Sequence, residues 1–351
     1  MISPQMSRRG FVRSAIAAVA GIYGGSSVLS SCGGASDTGS LGNGTLVIPD
    51  ITLVPEGEML PFITAQSQFY RIDTAIGNTP QIDAVTWSMR ITGMVDRDVV
   101  LTLADINAMP QVSHVITLGC VSNEVGGDLI GTAQWGGVLL SDVLKLAGVQ
   151  SGAEQLVSTS VDGWTCGTPL DAVLDGRPAM LVTSMNGEPL SQEHGYPVRM
   201  IVPGLFGYVS ATKWLSEIQL TTWDAFDAYW IERGWSKTGP FLASSRIDVP
   251  RNGASVAVGK IAIGGFAWAP RSGVGAVQLQ IDDGEWLETE LLDGSTGDTW
   301  TQWKYEWNAS AGDHRLTVRC VNNNGEVQTD EVTRVDPDGA RGHHHIDVSC
   351  A

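Results

Sequence analysis

The sequence predicts an α+β domain followed by an all-β antiparallel sandwich of immunoglobulin type, and three observations predict it. The chain has 351 residues, which at roughly 150 residues per domain leaves room for two. Between Pro49 and Leu220 short strand-like runs alternate with helix-like pieces, whereas from Ile247 onward helix signals give way to alternating strands joined by hairpin turns. Hydrophobic residues at 43% and charged residues at 17% supply enough apolar surface for cores and too little charge for disorder.

The first element is a leader. Ser7-Arg8-Arg9-Gly10-Phe11-Val12-Arg13 precedes a weakly apolar run from Ala15 to Leu29 that is too short to span a bilayer as a mature helix. Residues 1–32 read as a twin-arginine export signal, placing the protein in the periplasm or on the outer face of the cytoplasmic membrane. Leu29-Ser30-Ser31-Cys32 resembles a lipoprotein cleavage box, in which Cys32 would be lipidated; an ordinary signal peptidase would instead discard it. Residues 33–48, rich in Gly, Ser, Asp and Thr, read as a flexible linker. Twin-arginine export carries folded proteins, usually because a cofactor is inserted first, so a cofactor is expected.

Residues 49–237 form the first domain. Strands are expected over Ser88 to Val95, His114 to Leu118, Gln155 to Ser160 and Pro178 to Met185. One helix is clear, with Ser141 as N-cap, Val143, Leu144 and Leu146 as its apolar face and Gly148 as its stop. The boundary falls between Thr238 and Arg251, which includes Gly239-Pro240 and Pro250, and residues 238–351 form the second domain. There Val277, Leu279 and Ile281 run into Asp283-Gly284 and on to Trp286, and Leu316, Val318 and Cys320 run into Asn324-Gly325 and out through Val327. No Cys-Trp-Cys framework accompanies these strands. Cys320 and Cys350 share this region and an oxidising compartment permits them to pair, although spacing alone does not show it.

Charge and motifs narrow the chemistry. The net charge is −17 with no basic stripe, which argues against nucleic acid or an anionic lipid surface as the main partner. There is no HExxH, no phosphate loop, no GxSxG elbow and no complete GxGxxG, and the cysteines lack CxxC spacing. What remains is Thr117-Leu118-Gly119-Cys120-Val121-Ser122-Asn123, a strand ending in a cysteine. Such a thiolate is a soft metal ligand, although an unpaired cysteine also reads as an inert buried residue. Further on, His194, Arg199 and Lys213 suit a buried phosphate or another anion, the alternative being ion pairs at the surface.

Several separated blocks, in order, resemble the sulfite oxidase family of molybdenum-cofactor enzymes. They are Phe69-Tyr70-Arg71, Cys120-Val121-Ser122-Asn123, Gln134-Trp135-Gly136-Gly137-Val138, Asn186-Gly187-Glu188-Pro189-Leu190, His194-Gly195-Tyr196-Pro197-Val198-Arg199, Val202-Pro203-Gly204 and Lys213-Trp214. The resemblance covers Phe62 to Cys350 and implies a sulfite-oxidase-like molybdopterin-binding domain followed by an immunoglobulin-like dimerisation domain. It implies that Cys120 ligates molybdenum beside the dithiolene of one molybdopterin. His194, Arg199 and Lys213 would hold the pterin and its phosphate, helped by backbone near Ser210 and Thr212 and by Tyr70 and Arg71.

The sequence also departs from the family. Trp164 stands where a pocket tyrosine is expected to align, Glu124 and Val125 replace arginines after the cysteine motif, and Asp73 replaces a histidine. Sulfite, a compact dianion, needs converging cations, and these changes leave Arg71 as its main contact, with Trp164 lining the pocket. The reading is an exported molybdopterin oxidoreductase that transfers an oxygen atom on a small sulfur or nitrogen compound, exchanging electrons with a separate carrier, a cytochrome or a quinone-linked protein. The alternatives are a sulfoxide or N-oxide reductase of the same fold and a non-catalytic envelope binding protein. A homodimer is expected from the resemblance alone. The run His343-His344-His345 reads as exposed strand, because adjacent residues point to opposite faces and cannot converge on one ion.

Overall fold

The computed structural model describes residues 59–75, 77–292 and 294–351. The export signal, the Cys32 box and the linker lie outside the described residues. The first half is built on two sheets. One runs in the order Val99–Thr102, Ser88–Gly93, Leu215–Thr221, Gln155–Ser160, Thr165–Pro169. Its neighbours are antiparallel except Ser88–Gly93 beside Leu215–Thr221. The other joins Val112–Gly119, Ile130–Leu139, Met180–Met185 and Glu188–Pro189, with Arg199–Ile201 also paired to Met180–Met185. The α-helices among the described residues are short, Leu103–Ala108, Leu140–Ala147 and Leu170–Leu174, so this half is richer in sheet than the sequence led us to expect. None of them is long and apolar enough to cross a membrane.

The helix Leu140–Ala147 buries Leu140, Val143, Leu144 and Ala147, and it ends at Gly148, whose φ of 73° suits a residue without a Cβ. Ser141 is not its cap. Strand Ile130–Leu139 runs straight into the helix, leaving no room for a capping residue, and the Leu140 N–H is satisfied by Ala179 O at 2.8 Å.

The second half has two sheets, Ser244–Val249, Gly259–Trp268, Thr301–Ala309, Glu290–Leu291 and Ser255–Val256, His344–Cys350, Gly312–Asn322, Val274–Ile281, Trp286–Glu288. Ile263, Trp303 and Trp307 of the first meet Val277, Leu316, Val318 and Ile346 of the second in one apolar layer. The Asp283-Gly284 hairpin forms as expected between Val274–Ile281 and Trp286–Glu288. Cys320 and Cys350 are free thiols. Cys350 faces Gly312 while Val318 faces His344, so most of the length of this strand pair separates the two cysteines and no disulfide joins them.

The histidine run is not simply exposed strand. His344 Nδ1 accepts the Ile247 N–H at 3.0 Å, His343 Nε2 donates to Gln328 O at 2.9 Å, and only His345 faces solvent. Burial, and then the charge of Arg246, brings His344 down from 6.5 to about 4, so it is neutral at pH 7. Because its folded value lies below its unfolded one, its contribution to stability is complete above about pH 6.5 and is lost as the pH falls toward 4. The loss is at most ~3 kcal/mol. His344→Gln should flatten the fall of melting temperature with pH over that window; a slope equal to wild type would show that His344 does not titrate there.

The chain passes from one half to the other between Phe241, whose N–H donates to Gly204 O, and Ser244, and the halves share a core. Trp300 is fully buried; its indole N–H donates to Phe62 O at 2.9 Å and its backbone N–H to Thr117 Oγ1 at 2.8 Å. Its ring lies 4.2 Å from that of Phe266. Thr117 belongs to the strand that leads into Cys120, so the second half holds that strand in place. Trp300→Ala should cost about 3–5 kcal/mol, read as a shift of the urea midpoint, and a loss below 1 kcal/mol would contradict this packing.

Candidate active site

Strand Val112–Gly119 is buried over its last four residues and delivers Cys120, partly exposed, at its end. The turn that follows is closed on itself. Asn123 N–H donates to Cys120 O at 3.0 Å, Cys120 N–H to Leu129 O at 2.9 Å and Leu129 N–H to Asn123 Oδ1 at 2.8 Å. The Ser122 N–H points at Cys120 Sγ, 3.4 Å away. Burial pushes the thiol up and the Ser122 hydrogen bond opposes it, so without a metal the group is a thiol.

Beside it stands a polar cluster wrapped in aromatic rings. Tyr70 stacks on Phe69 at 5.2 Å, and Phe69 presents its face edge-on to Trp135 and His194. Burial raises the Tyr70 phenol, and the charge of Arg199 opposes it. Strand pairing of Arg199 with Val182 places its guanidinium 5.2 Å from the Trp135 ring centre. Burial lowers Arg199 to about 10, leaving it charged at neutral pH.

His194 donates from Nε2 to Gln66 O at 2.9 Å. Burial, reinforced by Arg199, brings it to about 4, so it is neutral. Gly195 has φ of 103°, and a Cβ there would crowd Lys213 and Arg199, which explains why glycine follows the histidine. Lys213 Nζ donates to Asp73 Oδ2 at 2.6 Å and Glu193 O at 3.1 Å and lies 4.6 Å from the Trp214 ring centre; burial brings it to about 8, against the pull of Asp73. Burial disfavours the charge on Asp73, but Lys213 and then Arg71 outweigh it and hold the carboxyl below its usual value. His194, Arg199 and Lys213 therefore converge in the interior and are not surface ion pairs.

Other expected site residues are placed differently. Arg71 is not free to meet an anion: Nε donates to Asp73, Nη1 to Glu193 and Nη2 to Thr79, at 3.0, 2.8 and 2.6 Å. Its charge is already met by two carboxylates. The side chains of Ser210 and Thr212 turn inward, to Leu205 O and Phe206 O and to Ser158 Oγ, and fix the loop that carries Lys213. Trp164 lies in the turn between Gln155–Ser160 and Thr165–Pro169. It closes a hairpin turn, accepting the Ser160 N–H at 2.8 Å, and its ring packs half-buried on the main core. That turn touches Thr74 and Trp214, on the Lys213 side of the cluster.

A cavity of about 350 Å³ opens beside the loop that follows Cys120. Loop residues 123–127 form one wall, Phe206, Phe241 and Phe266 another, and Arg246 and Arg341 come from the second half. Neither arginine was singled out in the sequence, because they lie in strand and loop positions far from any motif and reach the cavity only through folding. Each stands near a carboxylate, Arg246 with Asp248 at 2.7 Å and Arg341 with Glu331 at 3.9 Å.

The donor set fits a group that is soft-metal-bearing at one end and anionic at the other. Cys120 supplies sulfur; Arg199 Nε and Asp73 Oδ1 are buried without a hydrogen-bond partner within the protein. These orphans are one donor and one acceptor, as a ligand with both anionic oxygens and N–H groups requires.

Comparison with known proteins agrees. A family model described as oxidoreductase molybdopterin binding domain matches residues 76–230. The mitochondrial sulfite oxidase of Macaca fascicularis is 28% identical over 305 residues, 73% of this chain and 56% of that protein. The chain thus spans about half the length of this relative. The uncharacterized oxidoreductase YuiH of Bacillus subtilis is 32% identical over 46% of this chain and 79% of its own length. Among solved structures, the sulfane dehydrogenase SoxCD of Paracoccus pantotrophus superposes with a TM-score of 0.72 at 21% identity, covering 84% of this chain and 85% of that one, which speaks to the fold.

Proposed function

The chain belongs to the sulfite oxidase family of molybdopterin-dependent oxidoreductases, and from that premise we propose that it transfers an oxygen atom to or from a small, weakly charged sulfur or nitrogen compound. The observation that carries this reading is the convergence of the buried His194, Arg199 and Lys213, with Arg199 Nε and Asp73 Oδ1 left without a protein partner and Cys120 delivered at the end of strand Val112–Gly119. Molybdenum–molybdopterin, when bound, supplies the two-electron and oxygen-atom chemistry. Cys120 would be the protein's ligand to the metal. Arg199, with its free Nε, would hold the anionic end; Asp73 Oδ1 would be available to accept from an N–H of the group; neutral His194 and Tyr70 would help orient it.

The cavity favours an S-oxide or N-oxide over sulfite. Its phenylalanine wall, Glu124 on the loop and the carboxylates near both arginines offer a dianion little net attraction. Removing the oxygen of an S-oxide consumes two electrons and two protons and releases water and a thioether, the electrons coming from a separate cytochrome or quinone-linked carrier. Export by the twin-arginine route, lipid anchoring at Cys32, and homodimerisation through an immunoglobulin-like second domain complete the proposal.

The test is a substrate panel with artificial electron donors and acceptors, using protein from a host that makes the cofactor. We expect near-stoichiometric molybdenum and a kcat/KM for an S-oxide or N-oxide at least about tenfold above that for sulfite, the cost to sulfite of one missing charge-assisted hydrogen bond. Faster sulfite oxidation would overturn the substrate reading. Protein that holds no molybdenum would point to the non-catalytic binding module.

A further inference from the structure

We propose that the second half of the chain positions the Cys120 loop through a clamp, in which Arg246 and His344 hold Gly127 and Gly126. The inference goes beyond the choice of substrate, although its consequence for the metal rests on Cys120 being the ligand. Two observations carry it. Arg246 Nη1 donates to Gly127 O across the boundary between the halves. The imidazole of His344 lies against Gly126 so closely that a methyl group there would run into the ring.

Both clamping groups are themselves fixed. Arg246 donates from Nε to Asp248 Oδ1 at 2.7 Å, and its guanidinium lies 4.3 Å from the centre of the Phe266 ring, a planar fork held on three sides. The Arg246 and Asp248 side chains are each only 9% exposed. An arginine neutralised this closely contributes shape and one directed hydrogen bond rather than attraction for an anion, so it is a brace and not a substrate contact. His344 is set by the hydrogen bond it accepts from Ile247.

The glycines they hold connect directly to the sulfur. Gly127 N–H donates to Glu124 O at 2.9 Å, and a methyl at Gly127 would strike Asn123 Oδ1, the atom that accepts the Leu129 N–H. Asn123 and Leu129 in turn hold the backbone of Cys120. Gly126, at φ 76°, must be glycine both for its backbone and for the approach of His344. Arg246 and His344 are therefore positioning residues for Cys120, far from it in sequence.

The experiment measures Cys120 by two routes in the full-length chain. In cofactor-free protein, the rate of alkylation by iodoacetamide at Cys120, read by peptide mass, reports the loop alone. In cofactor-loaded protein, the Mo(V) electron paramagnetic resonance signal reports the sulfur's placement on the metal. Arg246→Met and Gly126→Ala should each change the alkylation rate about tenfold, the lower range for loss of an outer-shell partner, and shift the Mo(V) signal. Arg246→Lys, which keeps a donor, should lie nearer wild type. Gly126→Ala combined with His344→Ala should recover toward wild type, because the added methyl then has room.

Wild-type alkylation rates in folded Arg246→Met and Gly126→Ala proteins would overturn the clamp. Altered alkylation with an unchanged Mo(V) signal would leave the clamp standing and instead count against Cys120 as the metal ligand. If Arg246→Met fails to fold, the Gly126→Ala and His344→Ala pair decides the matter without disturbing Asp248.

Discussion

Cys120→Ala is expected to lose turnover by more than ~100-fold, beyond the range seen when only an outer-shell partner of a metal is removed, while the protein keeps its fold. The side chain stands just past a strand end and is partly exposed. The turn behind it is held by backbone groups and by Asn123, none of which the substitution touches. Melting temperature should therefore change little. Cys120→Ser separates softness from geometry: the hydroxyl preserves shape but is a poor soft-metal ligand, so serine should behave like alanine. Activity within a few-fold of wild type in either variant would contradict the assignment.

Arg199→Met should empty the site without weakening the protein. The guanidinium is buried, with no carboxylate in ion-pairing range among the described residues, and its neutral contacts are the Trp135 ring and His194 O. A buried charge in that position costs stability unless something anionic meets it. Methionine keeps the stem and removes the charge, so cofactor-free Arg199→Met should melt at or above the wild-type temperature. Its molybdenum and pterin content should fall by roughly 10- to 100-fold. A variant that loads normally would show that Arg199 faces no anionic group; one that unfolds would show that its role is to support the fold.

What could be read from the sequence depended on how local each signal is. The strands around the site, the Gly148 stop and the Asp283-Gly284 hairpin follow from patterns within a few residues, and they formed where expected. The motif around Cys120 and the bases His194, Arg199 and Lys213 were legible as types of residue, and the fold buries the three bases near one another. Partners were not legible. Arg71 looked free for substrate because nothing in one dimension shows that Asp73 and Glu193 reach it. The motif position of Trp164 does not tell which way its hairpin turn points. Ser141 looked like a cap because the sequence does not reveal that a strand runs directly into the helix. Arg246 and Arg341 carried no signal at all, and the run that includes His344 read as exposed strand, since their meaning comes from two halves of the chain packing around Trp300.

The most direct test of the account is X-ray absorption at the molybdenum edge on cofactor-loaded wild-type and Cys120→Ala proteins. The account predicts one sulfur fewer around molybdenum in the variant, with the remaining shell preserved. An identical sulfur count in both would mean that the metal does not bind position 120, and the assignment of this site would fall.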